Sequence, residues 1–170
     1  MTTPPSDEVD RLVAAWERER PDLDSSPMQV LSRVTRLARH LDLARREAFE
    51  AHDLETWEFD VLTALRRAGS PYELSPGRLL RETMVTSGTM TNRVDRLAAK
   101  GLVLRMPDPD DRRGVLVRLT DNGLNRVDAA LEGLLEQERR LLDALTTSQR
   151  ESLAAMLRMV VAPFDDDVAT

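Results

Sequence analysis

The stretch Val85 to Val103, VTSGTMTNRVDRLAAKGLV, decides how the rest of the chain is read. Thr86 offers a capping hydroxyl at the start of a helix, and Gly101 after Lys100 offers the stop, because glycine takes the left-handed conformation there with no steric cost. At about 100° per residue, Met90, Val94, Leu97 and Ala98 gather in one apolar arc. Gly88, Thr89, Asn92 and Arg96 fall on the far side, with Arg93 on a flank. That outward face is small and polar near its N-terminus. Such a face suits entry into the major groove of duplex DNA, since small residues let the backbone approach while Asn and Arg can pair with base edges. The candidate DNA contacts on this helix are Ser87, Gly88, Thr89, Thr91, Asn92 and Arg96.

Reading outward, LVLRM (Leu102 to Met106) and VLVRL (Val115 to Leu119) are two β-like runs separated by an Asp/Arg-rich turn, which makes a hairpin. Arg112 and Arg113 sit at its tip, where they could reach a minor groove or phosphates while Asp110 and Asp111 hold one guanidinium by charge-assisted bonds. Upstream, LSPGRLLRE presents Ser75 as a cap and Pro76 at the first helical position of a one- or two-turn helix. Helix, short helix, reading helix and hairpin together predict a winged helix-turn-helix. Charge agrees: Ser75 to Leu119 holds nine basic and five acidic residues, a net of +4, which leaves −10 for the rest of a chain of net charge −6. A basic middle in an acidic frame is the footprint of a nucleic-acid module whose flanks do something else.

Those flanks read as helices. Leu12, Val13 and Trp16 recur at helical spacing within Asp7 to Glu19, and RPDLDSSP then breaks the pattern. Val30, Val34, Leu37 and Leu41 form the stripe of a long amphipathic helix over Ser26 to Ala51, and a third helix over Glu55 to Ala68 carries Trp57, Val61, Leu62 and Leu65 before Gly69-Ser70-Pro71 stops it. After the hairpin, apolar residues from Leu124 to Leu145 and from Leu153 to Val160 form stripes too wide for two isolated helices, so they call for a partner. The expected organisation is an N-terminal helix and linker over residues 1–24, a first part of the dimerisation helices over 25–53, the winged module over 54–119, and C-terminal dimerisation helices with an acidic tail over 120–170.

Composition narrows the classes. There is no cysteine, which excludes disulfides, thiolate redox sensing and Cys-ligated metal, and His40 and His52 alone make a poor metal site. No cofactor is expected. No Ser/His/Asp or Cys/His set and no phosphate loop appears, so an enzyme is disfavoured against a regulator, and a protein-interaction dimer would not need the basic hairpin. The first residues are polar and acidic, and the late apolar run Leu153 to Phe164 is interrupted by Arg158 and Pro163, so a cytoplasmic protein without membrane contact is expected.

The wing DPDDRRGVLVRLT and the helix TNRVDRLAAKGLV resemble the MarR family of transcriptional regulators, and the resemblance runs from Pro27 to Phe164. It implies a mainly α protein with a small β-hairpin wing, forming an intertwined two-fold homodimer that binds a pseudo-palindromic double-stranded operator, most simply as a repressor. A narrower resemblance is to the urate-responsive branch, carried by the N-terminal tryptophan, Phe59-Asp60, Asn92-Arg93 and the run Gly101 to Arg105. It implies that Trp16, Asp60, Arg93 and Arg105 bind a small anionic effector, urate or an organic carboxylate, and relay its arrival to DNA. Taken as residues alone, Trp16 could simply pin its helix to the body. Asp60 at the edge of an apolar face requires a cation, which Arg105 or Arg93 would supply without any ligand.

Overall fold

The computed structural model describes residues 6–83, 86–111 and 114–165. The chain divides into two compact units, residues 1–47 and residues 48–170.

In the first unit, helix α1 (Glu8–Glu19) starts at Asp7, whose carboxylate accepts the Val9 and Asp10 N–H groups while Asp10 reaches back to the Asp7 N–H. This reciprocal pairing satisfies two of the donors that every helix start leaves open. Val9 and Val13 are its buried side. Helix α2 (Ser26–Glu50) begins in this unit and carries Arg33, whose guanidinium donates to Asp7 Oδ1 at 2.9 Å and Asp10 Oδ1 at 2.7 Å. The Arg33 side chain is the main cause of the lowered Asp7 pKa; for Asp10 the Asp7 backbone N–H contributes most and Arg33 next. The apolar stripe of α2 is left open: Val30, Leu31, Val34 and Leu37 are exposed by 37 to 57%.

The second unit opens with the end of α2, where Ala48 and Phe49 are buried and the Phe49 ring stacks on Phe59 at 4.0 Å. Then follow α3 (Thr56–Arg67), β1 (Glu73–Leu74), α4 (Pro76–Thr83), α5 (Ser87–Ala99), β2 (Val103–Pro107), β3 (Val115–Leu119), α6 (Asp121–Leu141) and α7 (Thr147–Asp165). The hairpin of β2 and β3 is the expected wing, with Arg105 opposite Val117. It has a third strand that the sequence reading left out: β1 lies antiparallel on β3, Glu73 opposite Arg118, and the two side chains pair at 2.6 Å. The core gathers Leu62 and Leu65 of α3, Leu79 of α4, Met90 and Leu97 of α5, Leu102, and Val103 and Val117 of the sheet, all at 1% exposure or less.

Two joints mount α5 in this unit. Its C-terminal end closes with Gly101 at φ +68°, the Gly101 N–H donating to Ala98 O and the Leu102 N–H to Leu97 O, while Leu102 and Leu97 are both fully buried. That is the left-handed glycine stop with its hydrophobic contact. The start of α6 then locks on: the Thr120 N–H donates to Leu102 O, the Thr120 hydroxyl to Gly101 O, and the Gly123 N–H to the Thr120 hydroxyl. Gly123 is so close that a Cβ there would lie 2.0 Å from Leu102 O. Helix α7, in contrast, has no buried residue among those described, and Met156, Met159, Val160 and Phe164 are 52 to 71% exposed. Among the described residues no helix is long and apolar enough to cross a membrane.

Candidate nucleic-acid interface

Helix α5 turns its apolar arc inward and its polar arc outward. Met90, Val94 and Leu97 are at most 1% exposed, whereas Ser87, Gly88, Thr89, Thr91, Asn92 and Arg96 are all exposed and Arg93 is half-buried. Thr86 occupies the N-cap position with extended backbone, but its hydroxyl lies 2.9 Å from the Thr89 hydroxyl and makes no bond to a helix N–H. The cap side chain thus leaves the first N–H groups of α5 to what approaches that end, the arrangement that favours an anion.

The outward face does not stand alone. Gly88, Thr89, Asn92, Arg93 and Arg96 line an open recess of about 560 Å³ whose other wall is Glu55 and Trp57 at the start of α3. The Arg96 guanidinium lies 4.7 Å from the Trp57 ring centre and that of Arg93 5.4 Å from it, both within reach of cation–π attraction. Glu55 spans the two elements: its Oε2 accepts the Trp57 indole N–H at 2.7 Å and its Oε1 accepts from Arg96 at 2.6 Å. The Trp57 hydrogen bond, and then the Arg96 charge, hold the Glu55 carboxyl below the usual Glu range. Arg96, read from sequence as pointing outward to a base edge, is therefore engaged by a carboxylate of its own chain. Nothing in the spacing of residues 86–101 reports this, because Glu55 is 41 positions away.

A second carboxylate anchors the other end of α5. Glu58 is fully buried; its Oε2 accepts from Lys100 Nζ at 2.9 Å and from the Glu55 N–H at 2.9 Å. Lys100 is the only lysine in the chain and closes α5.

The residues that the family resemblance assigned to an effector are distributed as follows. Arg105 on β2 pairs with Asp95 of α5 at 2.7 Å and donates to Thr91 O at 3.2 Å, so it ties the wing to the reading helix. Arg93 faces Trp57. Asp60 is half-buried on α3, and Trp16 belongs to the first unit, 48% exposed on α1. Arg112 and Arg113 lie outside the described residues. On either side of them the turn is drawn together by Asp108, whose carboxylate accepts the Asp110 N–H and whose own N–H donates to Gly114 O. A side chain on Gly114 would meet Asp108 Cβ at 2.7 Å, so the turn admits only glycine there without rearrangement. Among the described residues there is no group of three His, Cys, Asp or Glu side chains that could hold a metal ion.

Residues 52–114, which include α3, α4, α5 and the first strand of the wing, β2, match the MarR family. The HTH-type transcriptional regulator PecS of Dickeya dadantii is 38% identical over 153 residues, covering 90% of this chain and 92% of its own length. The HTH-type transcriptional repressor NicR of Pseudomonas putida is 31% identical over 82% of this chain and 89% of its own. A mutant MarR from E. coli, solved in complex with operator DNA, superposes with a TM-score of 0.65 and 27% identity, covering 86% of this chain and 97% of that one. The YusO protein from Bacillus subtilis has the same fold at a TM-score of 0.67 and 21% identity, over 82% of this chain and 99% of its own. With the winged fold and a polar reading helix in place, these likenesses settle the kinship: the chain belongs to the MarR family of transcriptional regulators.

Proposed function

We propose that this protein binds double-stranded DNA as a two-fold homodimer, one α5 per protomer entering a major groove, and represses the genes beside its operator. The observation that carries the reading is the sorting of α5: Met90, Val94 and Leu97 are buried and fix the helix while Ser87, Gly88, Thr89, Thr91, Asn92 and Arg96 stay exposed, and no side chain caps the N–H groups at its start. The operator complex of the related E. coli MarR supports the same use of the fold. Ser87, Gly88, Thr89, Thr91 and Asn92 are the groove contacts, Arg96 adds to them when it leaves Glu55, and Arg112 and Arg113 at the wing tip meet phosphates or a minor groove. The partner covers the open apolar sides of α2 and α7, which are too extensive to stay in water.

The reading is tested by footprinting on the protein's own upstream region. A protected pseudo-palindrome whose half-sites lie about 10 bp apart on one face of the duplex is expected. A single asymmetric site held by a monomer would overturn it.

The effector in this proposal is a small anion, urate or an organic carboxylate, sensed by Arg105 and Arg93 with Asp60 and Trp16. Arg105 supports this role because it bridges the wing and α5: an anion that takes Arg105 from Asp95 loosens the reading head. Release then follows from differential affinity, since a ligand that bound both states equally would shift nothing. Titrating urate and a panel of organic acids should give saturable operator release that Arg105→Ala abolishes. An unchanged response in Arg105→Ala would leave only the DNA-binding half standing.

A further inference from the structure

The recess beside α5 contains a residue that a protein built only to grip phosphates would not keep there. Glu55 places an ionised carboxylate in the same recess as Gly88, Thr89, Asn92, Arg93 and Arg96. It is bonded to the Arg96 guanidinium at 2.6 Å and held in place by the Trp57 indole at 2.7 Å, so it is a fixed charge and no passing contact. The indole in turn lies under two guanidiniums, so Glu55, Trp57 and Arg96 position one another.

We infer that Glu55 is a specificity-determining residue, which penalises binding to arbitrary duplex and releases that penalty only on sequences that engage Glu55 and Arg96 at base edges. The inference rests on the DNA-binding reading given above. Its physics is a difference between two complexes. On arbitrary sequence, affinity comes from phosphates and released counterions. There Glu55 acts twice against binding: it neutralises Arg96, and it adds a negative charge beside the backbone. On a matching sequence both groups can be satisfied, the carboxylate by a cytosine amino group and the guanidinium by guanine O6 and N7, so little of the penalty remains. Discrimination by a built-in repulsion of this kind needs no gain in cognate affinity.

The test uses the full chain and two probes: a short mixed-sequence duplex and a duplex enriched from a random pool by the parent protein. Glu55→Gln keeps an oxygen for the Trp57 indole and removes only the charge. It should bind the mixed-sequence duplex roughly fivefold more tightly, the size expected of one exposed charge beside phosphates, and should steepen the salt dependence by about one counterion. The enriched duplex should gain less, so the specificity ratio falls. Glu136→Gln on α6 makes the same change in net charge outside the recess and should leave the ratio at the parent value. Unaltered Trp57 emission and thermal midpoint in Glu55→Gln show that the change is electrostatic and that the fold is intact. The inference is overturned if Glu55→Gln leaves the ratio unchanged, if Glu136→Gln lowers it equally, or if the loss of ratio comes with a loss of folding. Failure of the parent to bind any duplex would overturn the DNA-binding reading itself, an outcome distinct from these.

Discussion

The winged part of the second unit and that unit's last helix, α7, both carry many apolar side chains, yet those side chains end in opposite states. From α3 to β3 Leu62, Leu65, Leu79, Met90, Leu97, Val103 and Val117 are closed off from water, and only Leu104 and Val115 of the wing are large apolar side chains left exposed among the described residues. Along α7 Met156, Met159, Val160 and Phe164 stay open, and α2 shows the same exposure from Val30 to Leu37. A three-stranded sheet with three short helices gives each apolar face something to cover it within one chain. Helix α7, with apolar residues around much of its circumference, has no such cover, and in the proposed dimer its burial falls to the second protomer. On that proposal, folding of the reading head and association of the protomers rest on different residues.

That separation can be broken or sharpened by substitution. Leu62→Ala, which empties a fully closed site, should cost about 2 to 5 kcal/mol of unfolding free energy, read from urea titrations. A loss under about 1 kcal/mol would mean that the head is not independently packed. Lys100→Ala should cost about 1 to 3 kcal/mol, because it leaves the Glu58 carboxylate buried without its cation, while the partial exposure of Lys100 lets water recover some of the loss. It should also weaken DNA binding, since it frees the C-terminal end of α5. Met159→Ser with Val160→Ser should change head stability by no more than about 0.5 kcal/mol yet shift sedimentation toward the monomer. Equal sedimentation of parent and variant would end the assignment of α7 to association.

The smallest effect concerns α1. Asp7 and Asp10 have lowered pKa values, so their contribution to the docking of α1 on α2 is complete above the ordinary Asp value of 3.8 and is lost as pH falls through the lowered values. Amide exchange in α1 should rise on that acid limb, and Arg33→Gln should show the raised exchange already at neutral pH. An α1 that responds to acid identically in both proteins would place its attachment elsewhere.

The fold was legible wherever the signal was local. Asp7, Ser75, Pro76 and Gly101 mark helix ends by their own chemistry, and the arc of Met90, Val94 and Leu97 follows from helical spacing alone. Strand β1 was not legible, because two residues cannot display an alternation; Glu73 and Leu74 become a strand only by meeting Arg118 and Val117, more than forty positions on. The candidate site divides in the same way. The outward residues of α5 could be named from the sequence, whereas Glu55 and Trp57 read as a helix start and a core aromatic. Their place beside Arg96 is a product of how α3 packs near α5. Arg105 is the instructive case: resemblance gives it an anion, and geometry gives it Asp95 and the Thr91 carbonyl.

The contact between Gly123 and Leu102 bears on how this chain can change over time. The obstacle to any side chain at Gly123 is a carbonyl oxygen of the main chain at 2.0 Å, and no second substitution can trim a carbonyl. The position is therefore closed to drift from both sides, unlike a crowded core site where one residue shrinks as its neighbour grows. Asn92 and Thr91, which face solvent on the helix that this contact mounts, meet no such constraint. A lineage of such proteins can acquire new operators by altering the exposed arc, residue by residue, while the mounting stays as it is.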